Sequence, residues 1–330
     1  MAKSSYTVSL KQFILRRFSL AIPLVIGVII FTFVLVHIAP GDPVTFMAGE
    51  LGADPEYILE IKEKYGLNKP LIEQLSIYLG RVFRGDLGYS ILYRMPVLKL
   101  ILERVPATLL LMGTGLSLAA VIGVFLGVLS SRNPFHLFDN IISSISLAGY
   151  SIPYFWSAIM LISIFAVRLG LLPSGGIVSL RETATGWKYY IDIGVHLILP
   201  TFSLAFYQIA LLARLTRGTM LDVLREDYIL TARSKGLSEY KVFFVHALRN
   251  AIIPVITVLG YQFGSIFSGA IITETIYTWP GLGRLLFDAI LALDYPIIVG
   301  MIIFITISMV TVTLLTDVLL AIIDPRIRYQ

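Results

Sequence analysis

Charged side chains are absent from six long stretches of the chain: 18–40, 105–131, 140–167, 193–213, 250–273 and 295–316, which are 23, 27, 28, 21, 24 and 22 residues long. A helix needs about 20 apolar residues to cross a hydrocarbon layer of about 30 Å. Each run is therefore long enough to span a membrane. Strands of a membrane barrel alternate in segments of about ten residues, which is not the pattern here. Lipid offers the backbone no hydrogen-bonding partner, so an apolar segment within it must be helical. The pattern predicts an all-α polytopic membrane protein with six transmembrane helices.

Composition agrees. Hydrophobic residues make up 57% of the 330 and charged residues only 14%, where a soluble domain carries about 25% charge. Neither a water-soluble fold nor a disordered chain fits. The chain has no cysteine, which excludes disulfides, thiolate metal sites and thiol nucleophiles. The net charge of +5 is spread too thinly to suggest nucleic acid. Lys and Arg in the short flanks set orientation. Fourteen lie in the N-terminus, the 132–139 loop, the 214–249 loop and the tail, against four (Arg168, Arg181, Lys188 and Arg284) in the short loops opposite. Both termini are expected in the cytoplasm. The first apolar run exceeds the roughly 7–15 residues of a secretory h-region, and Ala39-Pro40-Gly41 is a poor cleavage site. We read 1–17 as a cytoplasmic N-terminus and 18–40 as a retained first span.

Segment 41–104 then forms a small external helical segment. Pro55 to Tyr65 places Glu56 and Glu60 before Lys62 and Lys64, with Gly66 following. That is the charge order a helix dipole favours, closed by a glycine stop. A second helix is expected from Pro70 to about Phe83, then a turn at Gly85-Asp86-Leu87-Gly88. The residues favour a cap resting on the bundle over a docking surface. Trp156, Trp187 and Trp279 lie at span ends and read as interfacial anchors. Turn clusters occur at Pro173-Ser174-Gly175-Gly176 and at Trp279-Pro280-Gly281-Leu282-Gly283. Residues 105–330 make a five-helix transmembrane domain.

The 214–249 loop of that domain is long, charged and studded with apolar positions. Its pattern predicts two short amphipathic helices that meet near Lys235-Gly236-Leu237, where glycine permits a tight turn. Ser238 would cap the second, with Glu239 and Lys241 following. A charged, apolar-tipped helix–turn–helix reads better as a peg for a cytoplasmic socket than as a solvated connector.

With these residues the chain resembles the permease subunits of ABC importers, in the dipeptide/oligopeptide/nickel branch and of the first permease type. The resemblance rests on PGDP at 40–43, YGLNKPLIEQ at 65–74, RGDLGYS at 84–90, ERVPATLLL at 103–111, SIPYFW at 151–156, LLPSGG at 171–176, DYILTARSKGLSEYKVFFVHALRNAIIPV at 227–255 and WPGLGRLLFDAILALDYP at 279–296. The 227–255 stretch is similar to the family's EAA coupling loop. Aligned on Gly236, residues Ala232, Gly236 and Leu248 match the general pattern, while its leading Glu, its Ile and its Pro do not. The resemblance implies a type I importer permease fold. It also implies an ATPase-coupling role for Thr231, Ala232, Arg233, Ser234, Lys235, Gly236, Leu237, Ser238 and Glu239. The implied partners are a homologous second permease, two ABC ATPase subunits, an external substrate-binding protein and the lipid bilayer of the inner membrane. The implied cargo is peptide, with oligosaccharide or nickel chelate as the alternatives. No G-x-x-x-x-G-K-[ST] loop is present, so ATP and Mg would belong to the partner ATPases and this chain would hold no cofactor.

No Asp, Glu, Lys or Arg falls inside the six runs, which argues against a proton-coupled carrier. His37 and His196 sit near the external span ends and read as interfacial, without a catalytic role. The chain carries no H-E-x-x-H, no G-x-S-x-G and no intramembrane acid pair, so no enzyme is indicated, nor does any cluster suggest a metal site. Four mid-span polar residues remain: Tyr207, Gln208, Tyr261 and Gln262. They either bond helix to helix or line a pathway for substrate. Gly123 and Gly127, and Gly260, Gly264 and Ser268, form small-residue stripes. These stripes either pack helices closely or let two permease halves slide.

Overall fold

The computed structural model describes residues 10–38, 68–90, 92–179, 185–268 and 271–323. Regular structure among them is helical, apart from one isolated bridge between Tyr89 and Pro96. Helix α1 is Leu10–Ile38, α2 is Leu71–Phe83, α3 is Val97–Arg132 and α4 is Leu137–Ser151. Helix α5, Tyr154–Leu161, continues as a π-helical stretch over Ile162–Arg168. Then come α6, Trp187–Val223, and α7, Asp227–Ser234. A π-helical stretch, Lys241–Ala247, leads into α8, Leu248–Gly264, which closes on a 3-10 turn, Ser265–Ser268. The chain ends through α9, Ile271–Ile276, α10, Leu282–Leu291, and α11, Tyr295–Ile323.

Five helical stretches are long and apolar enough to cross a membrane: those of α1, α3 and α6, the helix over Lys241–Ser268, and α11. The remaining charge-free run, 140–167, is not one straight helix. It divides into α4 and α5, which meet at 97°. The count of six spans holds only if this bent pair makes one passage. Pro153 causes the break. It has no N–H to donate, and it forces the residue before it out of the helical region; Ile152 is extended at φ −75°, ψ 125°. Charge counting cannot detect this, because both halves are equally apolar.

The principal seam joins α3 to α6. A Cβ on Gly123 would lie 2.7 Å from Leu212 Cβ, and one on Gly127 would lie 2.6 Å from the Ala213 carbonyl oxygen. Gly260 is pressed against Thr316 of α11 in the same way. Both stripes are therefore spent on packing inside this chain. The idea that they let two permease halves slide is not supported, because the surfaces they would offer are already covered.

Helix α2 begins directly after Pro70, as the sequence predicts, and rests on α1 and α11. Val82 packs with Ile29 and Ile303. His37 Nε2 lies 3.0 Å from Gln74 Oε1, so this histidine fastens the cap to α1. Trp279 corrects the sequence reading. It is no interfacial anchor but is fully buried, and its indole N–H donates to the Ala107 carbonyl at 2.8 Å. Trp156 and Trp187 are exposed, as anchors would be. The helix expected over 55–65 and both chain ends lie outside the described residues.

Candidate functional site

Two places in the fold gather the residues that the sequence singles out. The first follows α6. That helix runs on to Val223, so the first ten residues of the expected 214–249 loop belong to it. After three intervening residues α7 begins. At its end Gly236 takes φ +74°, a left-handed conformation that favours glycine. The Gly236 N–H donates to the Arg233 carbonyl at 2.9 Å, and the Val242 N–H to the Ser238 carbonyl at 3.0 Å. The contact at Ser238 is thus made by its backbone oxygen. Arg233 Nε lies 3.0 Å from Glu239 Oε1 and staples the two arms across the turn. The second arm is not a short helix of its own, as expected, but the first turns of the span that continues to Ser268.

Burial divides the nine coupling candidates. Ala232 is buried with Ile229 against Val128, Met220, Val242 and Phe243. Leu237 is half-buried beside them. Thr231, Arg233, Ser234, Lys235, Gly236, Ser238 and Glu239 are exposed, and so is Leu230. Ala232 therefore anchors the element, and the exposed residues form its outer surface. Asn250 Nδ2 donates to the Tyr228 hydroxyl at 2.7 Å and ties α7 to α8.

The second place is the break between α4 and α5. A cleft of about 480 Å³ opens there, lined by Tyr150, Ser151, Ile152, Pro153, Tyr154, Leu204, Tyr207 and Gln208. Tyr150 and Tyr207, both in its lining, stack on each other with ring centroids 5.0 Å apart. Gln262 Nε2 donates to Gln208 Oε1 at 3.0 Å. Tyr207 and Gln208 thus line the cleft, and Gln262 supports it from behind. Tyr261 is exposed and does not line it. Its lining carries no charged side chain. The sequence reading overlooked Tyr150 and Tyr154, although SIPYFW marks the break that brings them there.

Three buried carboxylates also escaped that reading, because each lies just beyond the end of a charge-free run. Asp139 holds Arg217 in a two-pronged pair. Asp294 accepts from the Ser90 hydroxyl at 2.7 Å and from the Leu92 N–H at 3.0 Å. Glu274 accepts from Thr108 Oγ1 at 2.8 Å and from the Arg284 N–H at 3.0 Å. Burial pushes the Glu274 carboxyl above its ordinary range. The neighbouring Tyr277 hydroxyl is pushed up to about 12 by the same cause. His196 is buried, with Nδ1 2.9 Å from the Asp192 carbonyl oxygen. No cluster of three His, Asp or Glu that could hold a metal occurs among the described residues.

Against this geometry, residues 119–329 match the family model described as binding-protein-dependent transport system inner membrane component. Residues 10–112 match that of the N-terminal part of such membrane components. The chain is 42% identical over 336 aligned residues to the dipeptide transport system permease protein DppB of Escherichia coli K12, covering 97% of this chain and 99% of the relative. It is 42% identical over 333 residues to the di/tripeptide transport system permease protein DppB of Pseudomonas aeruginosa UCBPP-PA14, with the same coverage. A putative peptide transport system permease protein of Brucella abortus 2308 is 42% identical over 317 residues, covering 96% of this chain and 99% of the relative.

Proposed function

Because the chain belongs to the family of binding-protein-dependent transport system inner membrane components, we propose that it is one permease of an ATP-driven importer of short peptides. It acts without catalysing a reaction itself. It pairs with a second, related permease, and the two together enclose the route through the inner membrane. An external binding protein delivers the peptide. Two ATPase subunits bind ATP and Mg and supply the motion. The basic flanks support a cytoplasmic position for both termini and α7. The names of the relatives, all transport systems for peptides, support peptide over oligosaccharide or nickel chelate.

The observation that carries this reading is the form of residues 227–240. Ile229 and Ala232 root the element in the core, so a force applied to its exposed surface is delivered to α6 and α8 rather than lost in a floppy loop. Leu230, Arg233, Ser234 and Lys235 present an apolar and basic surface for a groove on an ATPase. In the cleft, Gln208 and the tyrosines offer amide and hydroxyl groups, which suit the peptide backbone and ask nothing of the cargo's charge.

The test reconstitutes the chain with its second permease, ATPases and binding protein in proteoliposomes and follows uptake of labelled di- and tripeptides. Uptake should need ATP and every component. Leu230→Asp combined with Lys235→Glu should lower uptake at least tenfold without loss of folded protein. Deleting 228–241 is the poorer experiment, since it would remove Ile229 and Ala232 from the core. Uptake by this chain alone, without an ATPase, would refute the reading.

A further inference from the structure

Helix α4 is held by α6 at two points. Near its start, Asp139 is 1% exposed and takes Arg217 by both oxygens, with Arg217 Nη2 2.7 Å from Asp139 Oδ2. Asp139 also accepts from the Phe135 N–H at 2.8 Å, and the Arg217 guanidinium stands over the Phe135 ring. Near the end of α4, Tyr150 stacks on Tyr207 of α6. Asp139 to Tyr150 is 11 residues and Arg217 to Tyr207 is 10, or about 16 and 15 Å of helix at 1.5 Å per residue. The two grips are thus in register on antiparallel helices. Between them, at Gly149, a Cβ would lie 3.5 Å from Ala210 Cβ.

Directly beyond the second grip the chain breaks at Pro153, and α5 takes other company. Tyr277 donates its hydroxyl to the Ala158 carbonyl at 3.2 Å and is buried with Ala158 and Leu199. Helix α6 carries Pro200 between Leu199 and the cleft, which removes one rung of its ladder. The cleft therefore lies where two packed groups meet, joined through the unbroken α6. One is α4 with the 207–223 part of α6, to which Met220 roots α7. The other is α5 with the start of α6 and Tyr277.

We infer that Asp139 and Arg217 are positioning residues for transport: their ion pair makes α4 travel with α6, so that a push on α7 opens or closes the cleft at Pro153. A buried ion pair of this kind is weak evidence for stability, since hydrophobic replacements often do as well. Its bidentate geometry instead fixes where one helix sits on another. This inference rests on the importer reading above.

The chain has no cysteine, so a cysteine pair meets a clean background. The 3.5 Å between the Gly149 and Ala210 Cβ positions suits a disulfide, whose Cβ atoms lie about 3.5–4.5 Å apart. In the reconstituted complex, oxidised Gly149→Cys/Ala210→Cys should import within twofold of its reduced form, because the bridge joins parts that already move together. Asp139→Asn should lower peptide moved per ATP at least tenfold while binding-protein-stimulated ATP hydrolysis stays within threefold. The disulfide should restore most of that loss. Because a bridge also stabilises the fold, the readout that separates positioning from stability is the ratio of peptide moved to ATP hydrolysed, which a merely destabilised complex would keep. Abolished import on oxidation would overturn the inference even if Asp139→Asn failed to accumulate. Native coupling in Asp139→Asn, or failure of the disulfide to rescue it, would also overturn it. The importer reading fails separately, if the unsubstituted complex does not import peptide with ATP.

Discussion

Trp279 and Ala107 are joined by a buried hydrogen bond of 2.8 Å, from the indole N–H to a backbone carbonyl of α3. Pro106, one residue earlier, lies inside the same helix. That proline leaves the Leu102 carbonyl, four residues before it, without its helical donor, so the Trp279 bond to Ala107 sits next to a weakened turn of α3. Trp279 supplies a donor from outside and brings the 277–283 loop with it. Trp279→Phe keeps an aromatic ring but removes this second donor, while the Ala107 oxygen keeps its place in the ladder of α3. We expect a loss of about 0.5–1.5 kcal/mol, the usual net worth of one hydrogen bond. Thermal unfolding of the purified chain in nanodiscs checks it. An unchanged melting temperature would mean that the bond contributes nothing.

The glycines after Trp279 have a separate reason. Gly281 lies so close to the Glu274 carboxylate that a Cβ would overlap it, and a Cβ on Gly283 would lie 2.8 Å from the Ile271 nitrogen. Gly281→Ala must displace a buried carboxylate from its donors, so little folded protein should reach the membrane. Gly80→Ala is the control, because nothing lies within 4 Å of a Cβ there. On the helical α2 it should be neutral or mildly stabilising, by up to about 1 kcal/mol. Equal yields for both variants would show that the close approach at Gly281 is not needed.

Glu274 makes stability depend on pH. Burial raises its folded-state value above the ordinary carboxylate range, so the folded chain holds this proton more tightly than the unfolded one. The group's favourable contribution is complete below the unfolded value and is lost as pH climbs to the raised one. Glu274→Gln imitates the protonated form and lacks that loss. The melting temperature of the variant relative to the native chain should therefore rise with pH across that window and level off above it. A difference that is constant with pH would remove the assignment.

Much of this arrangement is written in the order of residues, and the rest is not, for identifiable reasons. Charge-free runs find the spans because lipid excludes ionised side chains, and they locate α1, α3 and α11 well. They miss the bend at Pro153, since hydropathy does not register a lost N–H. They also discard Asp139, Glu274 and Asp294, which sit at run ends where a carboxylate reads as solvated. The peg at 227–240 was legible as a turn between amphipathic arms, because Gly236 interrupts the pattern. That Ala232 faces inward was not, since it depends on Met220 and Val128 arriving from other helices. Trp279 looked interfacial for the same reason: its partner at Ala107 is remote in sequence.

Gln208 and Gln262 can be separated by experiment into support and lining. Their mutual bond of 3.0 Å is lost in Gln208→Leu and in Gln262→Leu alike. Interhelical bonds of this type contribute about 0.6 kcal/mol on average within membranes, and up to about 1.7. A double-mutant cycle on thermal stability should give a coupling in that range. Only Gln208 faces the cleft, however. If the amide serves cargo as well as its partner, Gln208→Leu should slow peptide uptake by about tenfold, while Gln262→Leu should slow it far less at similar cost in stability. The asymmetry matters more than either number, because loss of the shared bond predicts two equal effects. Equal transport in the two variants would reduce the pair to a helix–helix contact and remove Gln208 from the pathway.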